Sequence, residues 1–325
     1  MDENRTFESI YRQAKAEALA LRHRPPGLIW AEGKDRLDLL NRMSTNQLES
    51  LPDGRQRATV LTNPVGQTID KLQVLALPDK LILITNHGKD QTVLGWLNGY
   101  IFFQDDVKLS LFEPGWSRWG LYGPGAAAQA ADFLESDVKF ADGELKTLEM
   151  GYAWPAEPRL RPGIELLLDP DGTARAKDVW PDRHADSVDG LVFDVLRIER
   201  GVPAAGREIL EDTIPLEADL WDAVSFNKGC YIGQEIIARL ESRGRLAKQL
   251  TGVQLDSEVS PPLDLVQAGH RVGRLTSVGH SPDLGWIGLA LAKPSALETD
   301  SGQVQVDGSL ASGRLVPLPF EAIPA

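Results

Sequence analysis

A chain of 325 residues, 42% hydrophobic and 25% charged, has the composition of an ordinary globular protein and is too long for one comfortable core, so two or three domains are expected. Forty-seven acidic against 34 basic residues give a net charge of −13, which argues against broad nucleic-acid or anionic-membrane binding, although a local basic patch is still possible. One cysteine excludes an intramolecular disulfide, the N-terminal stretch is charged and lacks an apolar signal core, and no run approaches membrane-spanning length; a soluble, cytoplasmic monomer is expected.

Residues 6–24 read as one amphipathic helix, with Phe7, Ile10, Tyr11 and Ala14 at helical spacing and Pro25-Pro26-Gly27 ending the run. Gly33-Lys34-Asp35 opens a second helix carrying Leu37, Leu40 and Met43 on one face. Residues 57–61 and 70–77 read as strands joined through the turn signal Asn63-Pro64-Val65-Gly66, and 80–85 as a third strand. A helix is expected over 90–100. The stretch 119–126 reads as strand, turn and the start of an alanine-rich helix. After a looser region, 163–169 reads as a buried strand ending at Pro170, and 191–200 as a helix. Strands and helices mix without a regular βαβ repeat, so the fold class is α+β. Composition shifts near Arg245. Beyond it, strand-like runs at 249–255, 271–278, 287–292, 303–306 and 314–316 suggest a small β-barrel or sandwich of about 80 residues. The expected division is an α+β region over 1–245, built of two intertwined subdomains, and a C-terminal β-barrel over 246–325.

The lone thiol sits in Asn227-Lys-Gly-Cys-Tyr-Ile-Gly-Gln-Glu235. The run after Gly233 is helical in pattern, with Ile232, Ile236 and Leu240 on one face. Cys230 therefore stands ahead of a helix N-terminus, with Lys228 two residues away, and both features favour a thiolate. The alternative is a buried cysteine that fills space like a small hydrophobe. The histidines at 23, 87, 184, 270 and 280 are scattered, so a Cys–His pair could arise only through the fold. Between Phe226 and Leu250 the cations Lys228, Arg239, Arg243, Arg245 and Lys248 outnumber Glu235 and Glu241, which suits an anionic ligand or partner, or simply a solvated helix face. Gly120-x-x-Gly123-x-Gly125 does not match a dinucleotide loop and reads as the cap of the following helix. No cluster has metal-ligand spacing, so no metal site is expected, and one thiol cannot house an iron–sulfur cluster.

Lys-Gly-Cys-Tyr-Ile-Gly-Gln-Glu at 228–235 closely resembles the motif of the folate-binding iron–sulfur-assembly family of YgfZ type, which is related to the aminomethyltransferase (T-protein) of the glycine cleavage system. Leu39-Leu-Asn-Arg-Met-Ser-Thr-Asn46, Leu61-Thr-Asn-Pro-Val-Gly66, Leu121-Tyr-Gly-Pro124, Gly163-Ile-Glu-Leu166, Leu196-Arg-Ile-Glu-Arg-Gly-Val-Pro203 and Ile214-Pro-Leu-Glu217 extend the likeness from about residue 28 to 320. The resemblance implies a three-domain, GcvT-like fold with tetrahydrofolate, or a one-carbon derivative, in a central cavity. It places Arg197 and Glu165 near the folate, adds Asp70 and Tyr231 as candidate contacts, and makes Cys230 and Lys228 the candidate catalytic pair. T-proteins carry two adjacent aspartates where this chain has Asp70-Lys71, the second being the one the resemblance implies for aminomethyl transfer, and their Gly-Tyr-Thr-Gly-Glu run is missing, with Leu160-Arg-Pro-Gly163 in its approximate place; both departures weigh against the T-protein reading and favour the accessory role.

A pterin can donate to a carboxylate such as Glu165, and arginines can hold the glutamate tail. Without the resemblance, Glu165 would read as a strand-edge surface carboxylate and Arg197 as a helix-face partner of Asp194. The expected function is a tetrahydrofolate-binding accessory protein for assembly, maintenance or repair of iron–sulfur enzymes, with those client or assembly proteins as transient partners. The alternatives are a folate-dependent aminomethyl- or methyltransferase, and a binding module that has lost folate.

Overall fold

Runs such as Leu81-Ile-Leu-Ile84 and Leu166-Leu-Leu168 are apolar at every position, which suits a strand only when both faces are covered. The computed structural model describes residues 6–160, 162–244, 246–298 and 302–320; Arg245 lies outside them. Its elements are α1 Phe7–Ala16, β1 Leu19–Arg22, β2 Gly27–Glu32, α2 Arg36–Met43, β3 Arg55–Thr62, β4 Thr68–Ala76, β5 Lys80–Thr85, α3 Asp90–Asn98, β6 Lys108–Leu111, β7 Ser117–Tyr122, α4 Ala126–Leu134, β8 Lys146–Leu148, β9 Gly151–Pro155, β10 Gly163–Leu168, α5 Pro170–Val179, α6 Val188–Glu199, α7 Gln234–Arg243, β11 Gln249–Leu255, β12 Leu263–Gln267, β13 His270–Ser281, β14 Gly285–Ala292, α8 Ser295–Glu298, β15 Gln303–Val306 and β16 Ser312–Val316. They fall into two compact units: Met1–Thr62 with Ile69–Val192 and Asp222–Ile232, and Asn63–Thr68 with Phe193–Trp221 and Gly233–Ala325.

The first unit holds two five-stranded sheets, ordered β3-β4-β5-β2-β6 and β1-β7-β10-β9-β8. Period-two alternation sends each strand into two cores. On β2, β4 and β5, Ile29, Val74 and Leu83 face α2 and α3, beside Leu40 and Leu97. The opposite parity, Leu28, Leu75 and Ile84, meets Trp154 and Leu167 of the second sheet. On β10, Leu166 and Leu168 turn the other way, towards Ala130 and Phe133 of α4 and Ala176 of α5. The result is helix, sheet, sheet, helix.

The first helix is shorter than its pattern suggests. It ends at Ala16, and Leu19–Arg22 instead forms β1, paired antiparallel to β7. Ala18, Leu19, Ala20 and Leu21 are all buried, and sheet pairing overrides the helical preference of Ala and Leu. Pro170 starts a helix rather than stopping a strand. It occupies the first turn of α5, where its missing N–H costs nothing, while the Asp169 carboxylate caps the helix by accepting from Gly172 N at 2.8 Å. The looser region before residue 163 contains β8 and β9.

In the second unit six strands close a barrel in the order β11-β14-β13-β12-β15-β16. Five coincide with sequence-predicted runs; β12, short and preceded by Pro261-Pro262, has too little pattern to be read. Val253, Leu265, Leu275, Ala290 and Leu315 fill the barrel interior. Ile287, Leu289 and Leu291 leave β14 on the outer side, where Ile198 of α6 covers them.

Gly123, between β7 and α4, has φ +129°, and a Cβ there would meet the backbone oxygens of Ala14 and Glu17, the latter at 2.6 Å. Gly123→Ala is expected to lower the unfolding free energy by about 3 kcal/mol in urea denaturation. A loss within experimental error would show that the turn has room to relax.

Candidate functional site

In the first unit, segment 222–232 is stitched to the C-terminal end of α2 and the loop that follows it. Thr45 Oγ1 donates to Ala223 O at 2.6 Å, Ser225 N to Thr45 O at 2.9 Å, and Asn46 Nδ2 to Asp222 O at 3.1 Å. Lys228 completes the seam. Its Nζ donates to Asn41 O at 2.6 Å, Ser44 O at 2.8 Å and Asn46 O at 2.6 Å. An ammonium has three donors, and three carbonyls left over at a helix end take them all. Burial pulls its pKa down to about 7, opposed by Glu49. The Tyr231 ring, 5.1 Å from Nζ, is buried beside it, and its hydroxyl is pushed up to about 12 by burial. Ile232 then donates from N to Arg42 O at 3.2 Å and accepts at O from Thr62 Oγ1 at 2.6 Å. Cys230 lies between these anchors and is exposed. The bland expectation of a buried filler thiol therefore fails. Lys228, for its part, is committed to backbone carbonyls.

Asp70 and Lys71 are neighbours on β4 and point to opposite faces of it. Asp70, with Leu72 and Val74, faces the helices. Its carboxylate accepts from Asn86 N at 3.0 Å and Asn86 Nδ2 at 2.5 Å. Burial raises its pKa, partly offset by those hydrogen bonds. Lys71 has the parity of Leu75 and ion-pairs with Glu157 at 2.8 Å. Burial pushes the Glu157 carboxyl up, but Lys71, Arg159 and Arg118 together bring it below its ordinary value.

Glu165 is no surface carboxylate: β10 is an interior strand and the residue is 2% exposed. It stands opposite Gly120 on β7, diagonal to Arg118 and Tyr122. Arg118 Nε donates to Oε2 at 2.8 Å and the Tyr122 hydroxyl to Oε1 at 2.6 Å. A Cβ at Gly120 would strike the Tyr122 ring, so the glycine makes room for that ring to lie across towards Glu165. His23 Nε2 is 2.7 Å from the Tyr122 oxygen. The tyrosine gives its one proton to Glu165, so the histidine donates, which fits a neutral ring. Burial lowers the His23 pKa to about 4, with Glu165 raising it and Arg118 lowering it. Burial raises Glu165, but Arg118 and His23 prevail and its pKa is lowered.

In the second unit Arg197 is 3% exposed and fully engaged. Nε donates to Asp194 Oδ1 at 2.6 Å, Nη1 to Glu208 Oε2 and Val202 O at 3.1 Å each, and Nη2 to Ser277 Oγ at 2.6 Å. The guanidinium thus bolts α6 to barrel strand β13, and the expected Asp194 pair is part of that bolt. Buried Thr68 and Thr213 are joined by Thr68 N to Thr213 O at 2.9 Å, and both hydroxyls lack a protein partner.

The first unit thus brings Lys228 and Tyr231 together beside Cys230, while Glu165 and Asp70 each have separate partners. Sequence reading missed His23, Arg118, Glu157 and Asn86. A signal was present on β7, where Arg118, Gly120 and Tyr122 alternate with buried Trp119 and Leu121. Among the described residues no group of three or more His, Cys, Asp or Glu could hold a metal, and no helix is long and apolar enough to cross a membrane.

Two outcomes are expected. Lys228→Met should cost about 3 kcal/mol in urea denaturation, because three buried carbonyls lose their donor; an unchanged midpoint would show that water replaces the ammonium. Between pH 6.5 and about 4 the unfolded chain protonates His23 and the folded one does not, so stability falls as pH falls across that window. The loss should reach about 2–3 kcal/mol, be absent from His23→Gln, and therefore appear in the wild-type-minus-variant difference. Glu165, its pKa lowered from 4.5, adds its own loss as pH falls below about 4.5, at the acid end of that window. A difference curve flat from pH 7 to 4 would overturn the assignment of a neutral, partly buried His23.

The chain matches the GCVT N-terminal domain over residues 25–153 and the glycine cleavage T-protein C-terminal barrel domain over 248–321. A chloroplastic protein of Arabidopsis thaliana, provisionally named a transferase, is 29% identical over 310 residues, covering 91% of this chain and 69% of that one. The aminomethyltransferase of Chlorobium phaeovibrioides is 29% identical over 324 residues, with 90% and 84% covered. The crystal structure of the glycine cleavage system aminomethyltransferase T from Bartonella henselae superposes with a TM-score of 0.82 at 22% identity, over 97% of this chain and 89% of that one. With its α+β layers and closed six-stranded C-terminal barrel, the chain has the GcvT-like fold and belongs to the T-protein-like superfamily.

Proposed function

We propose that the protein binds tetrahydrofolate or a one-carbon derivative and acts as a folate-dependent aminomethyl- or methyltransferase of T-protein type. The observation that carries this reading is Asp70, a buried carboxylate whose pKa is raised and whose position is fixed by two hydrogen bonds from Asn86. A carboxyl moved towards neutral pH and held in one orientation suits proton transfer to and from an amine. The aminomethyltransferases among its relatives support the same substrate class.

The donor set fits a folate. Arg118, anchored by Glu165 yet with 30% of its side chain exposed, offers guanidinium N–H groups to a carboxylate or carbonyl. Glu165 serves the folate indirectly, by positioning Arg118. Bound tetrahydrofolate would supply the ring nitrogens that take up or release the one-carbon unit. Asp70 would hold the proton at a carboxylate oxygen, and the Asn86 amide would stop it rotating away. Lys71, paired to Glu157, contributes no base.

A second reading rests on Cys230. A thiol exposed on a loop pinned at both ends suits brief contact with a sulfur species or cluster, in an accessory protein for iron–sulfur enzymes. One set of variants separates the two. The transferase reading expects saturable tetrahydrofolate binding in calorimetry, and methylene-tetrahydrofolate formation from an aminomethylated carrier protein. Asp70→Asn should slow that turnover by about 10²–10⁴-fold, whereas Cys230→Ser should leave it unchanged. Equal turnover by Asp70→Asn would remove the aspartate from the reaction. Loss of cluster-enzyme activity in cells carrying only Cys230→Ser, with folate binding intact, would favour the accessory role. No heat with tetrahydrofolate would leave the binding-module reading.

A further inference from the structure

The first unit contains a cavity of about 340 Å³ walled by the end of β1, the start of β7, α5 and the stretch before α6. Arg22, Arg24, Lys177 and His184 line it, against the single carboxylate of Asp186. That balance runs against a chain of net charge −13. Asp186 is taken by Arg24 at 2.7 Å. Among the described residues no ion pair or side-chain hydrogen bond engages Arg22 or Lys177. Two cations left unneutralised around a concavity repel one another and raise the local concentration of anions.

The arrangement is also prebuilt. Arg22 N donates to Arg183 O at 2.9 Å, Ala185 N to Arg22 O at 3.0 Å, and His23 N to Arg118 O at 2.9 Å. The segment bearing Arg22 and Arg24 is therefore locked to the one bearing His184, and Lys177 comes from α5, a helix capped by Asp169. Little backbone ordering remains to be lost on binding. The volume is at the small end of ligand pockets, about 300–1,000 Å³, with room for a head group and a small body.

We propose that this cavity is a binding site for a small organic dianion, a phosphate monoester or a pair of carboxylates, held by Arg22 and Lys177 with Arg24 and His184 at its rim. The site is separate from the folate reading and does not rest on it.

The test is titration of the full chain with inorganic phosphate and with succinate at matched ionic strength, followed by calorimetry and, for phosphate, by ³¹P resonance broadening. At least one anion should bind saturably, and the tighter of the two identifies the head group. Arg22→Gln with Lys177→Gln should weaken that binding by at least about tenfold, as loss of charge-assisted hydrogen bonds predicts. Arg175→Gln, on the same helix but paired with Glu135 and outside the cavity, should leave it within about twofold. Lys177→Gln alone, at an exposed helix position, keeps the fold and should weaken binding by about threefold. The proposal is overturned if neither anion saturates below about 20 mM, or if the Lys177 variants bind as the wild type does.

Discussion

A strand covered on both faces can carry a charge only where a charged or hydrogen-bonding partner meets it. This constraint organises the first unit. Its interior strands β5 and β10 are apolar at most positions because helices cover one side and the other sheet covers the opposite side. Where polar groups enter the layers, they enter in sets. Glu165 has Arg118 and Tyr122, Lys71 has Glu157, and Asp70 has Asn86. None of these side chains could be placed singly without a large desolvation cost. The candidate chemistry is thus confined to positions where the fold already supplies a partner, and one group in each set keeps some freedom to act.

The loop bearing Cys230 follows a different rule. Among the described residues no strand pairs with it; the Thr62 hydroxyl at the end of β3, and backbone oxygens at and just past the end of α2, hold it in place. Lys228 reaches back more than 180 residues to collect three of them. The motif at 228–235 and the segment 39–46, both part of the resemblance, are therefore one structural feature. Placing the lysine beside the thiol in sequence made it look like an activator. Its geometry shows a fastener, which fixes where the thiol is presented.

The α+β class, the C-terminal barrel strands and most helices could be read from periodicity, because each depends on neighbours in sequence. The errors share a cause. Leu19–Arg22 reads as helix until β7 is present to pair with it. Pro170 reads as a stop until Asp169 is seen to cap the helix it begins. Cys230 and Asp70 could be singled out, one by its motif and the other by its resemblance. Arg118, Tyr122 and His23 could not, because they matter only through Glu165, and the diagonal that joins them crosses two strand pairings. Glu165 and Arg197 were placed near a ligand by likeness alone; in the structure both are engaged by protein groups.

The Lys71–Glu157 pair has a consequence for substitution. Where the resemblance to T-proteins implies a second aspartate, this chain has a cation bonded to a partly buried glutamate. Restoring the second aspartate by itself would set two carboxylates against each other in a poorly solvated place and leave Arg118 and Arg159 as their main compensation. Lys71 and Glu157 are therefore coupled: exchanging either one alone leaves the other charge without its partner in the space between the sheets, and only a paired exchange keeps the balance.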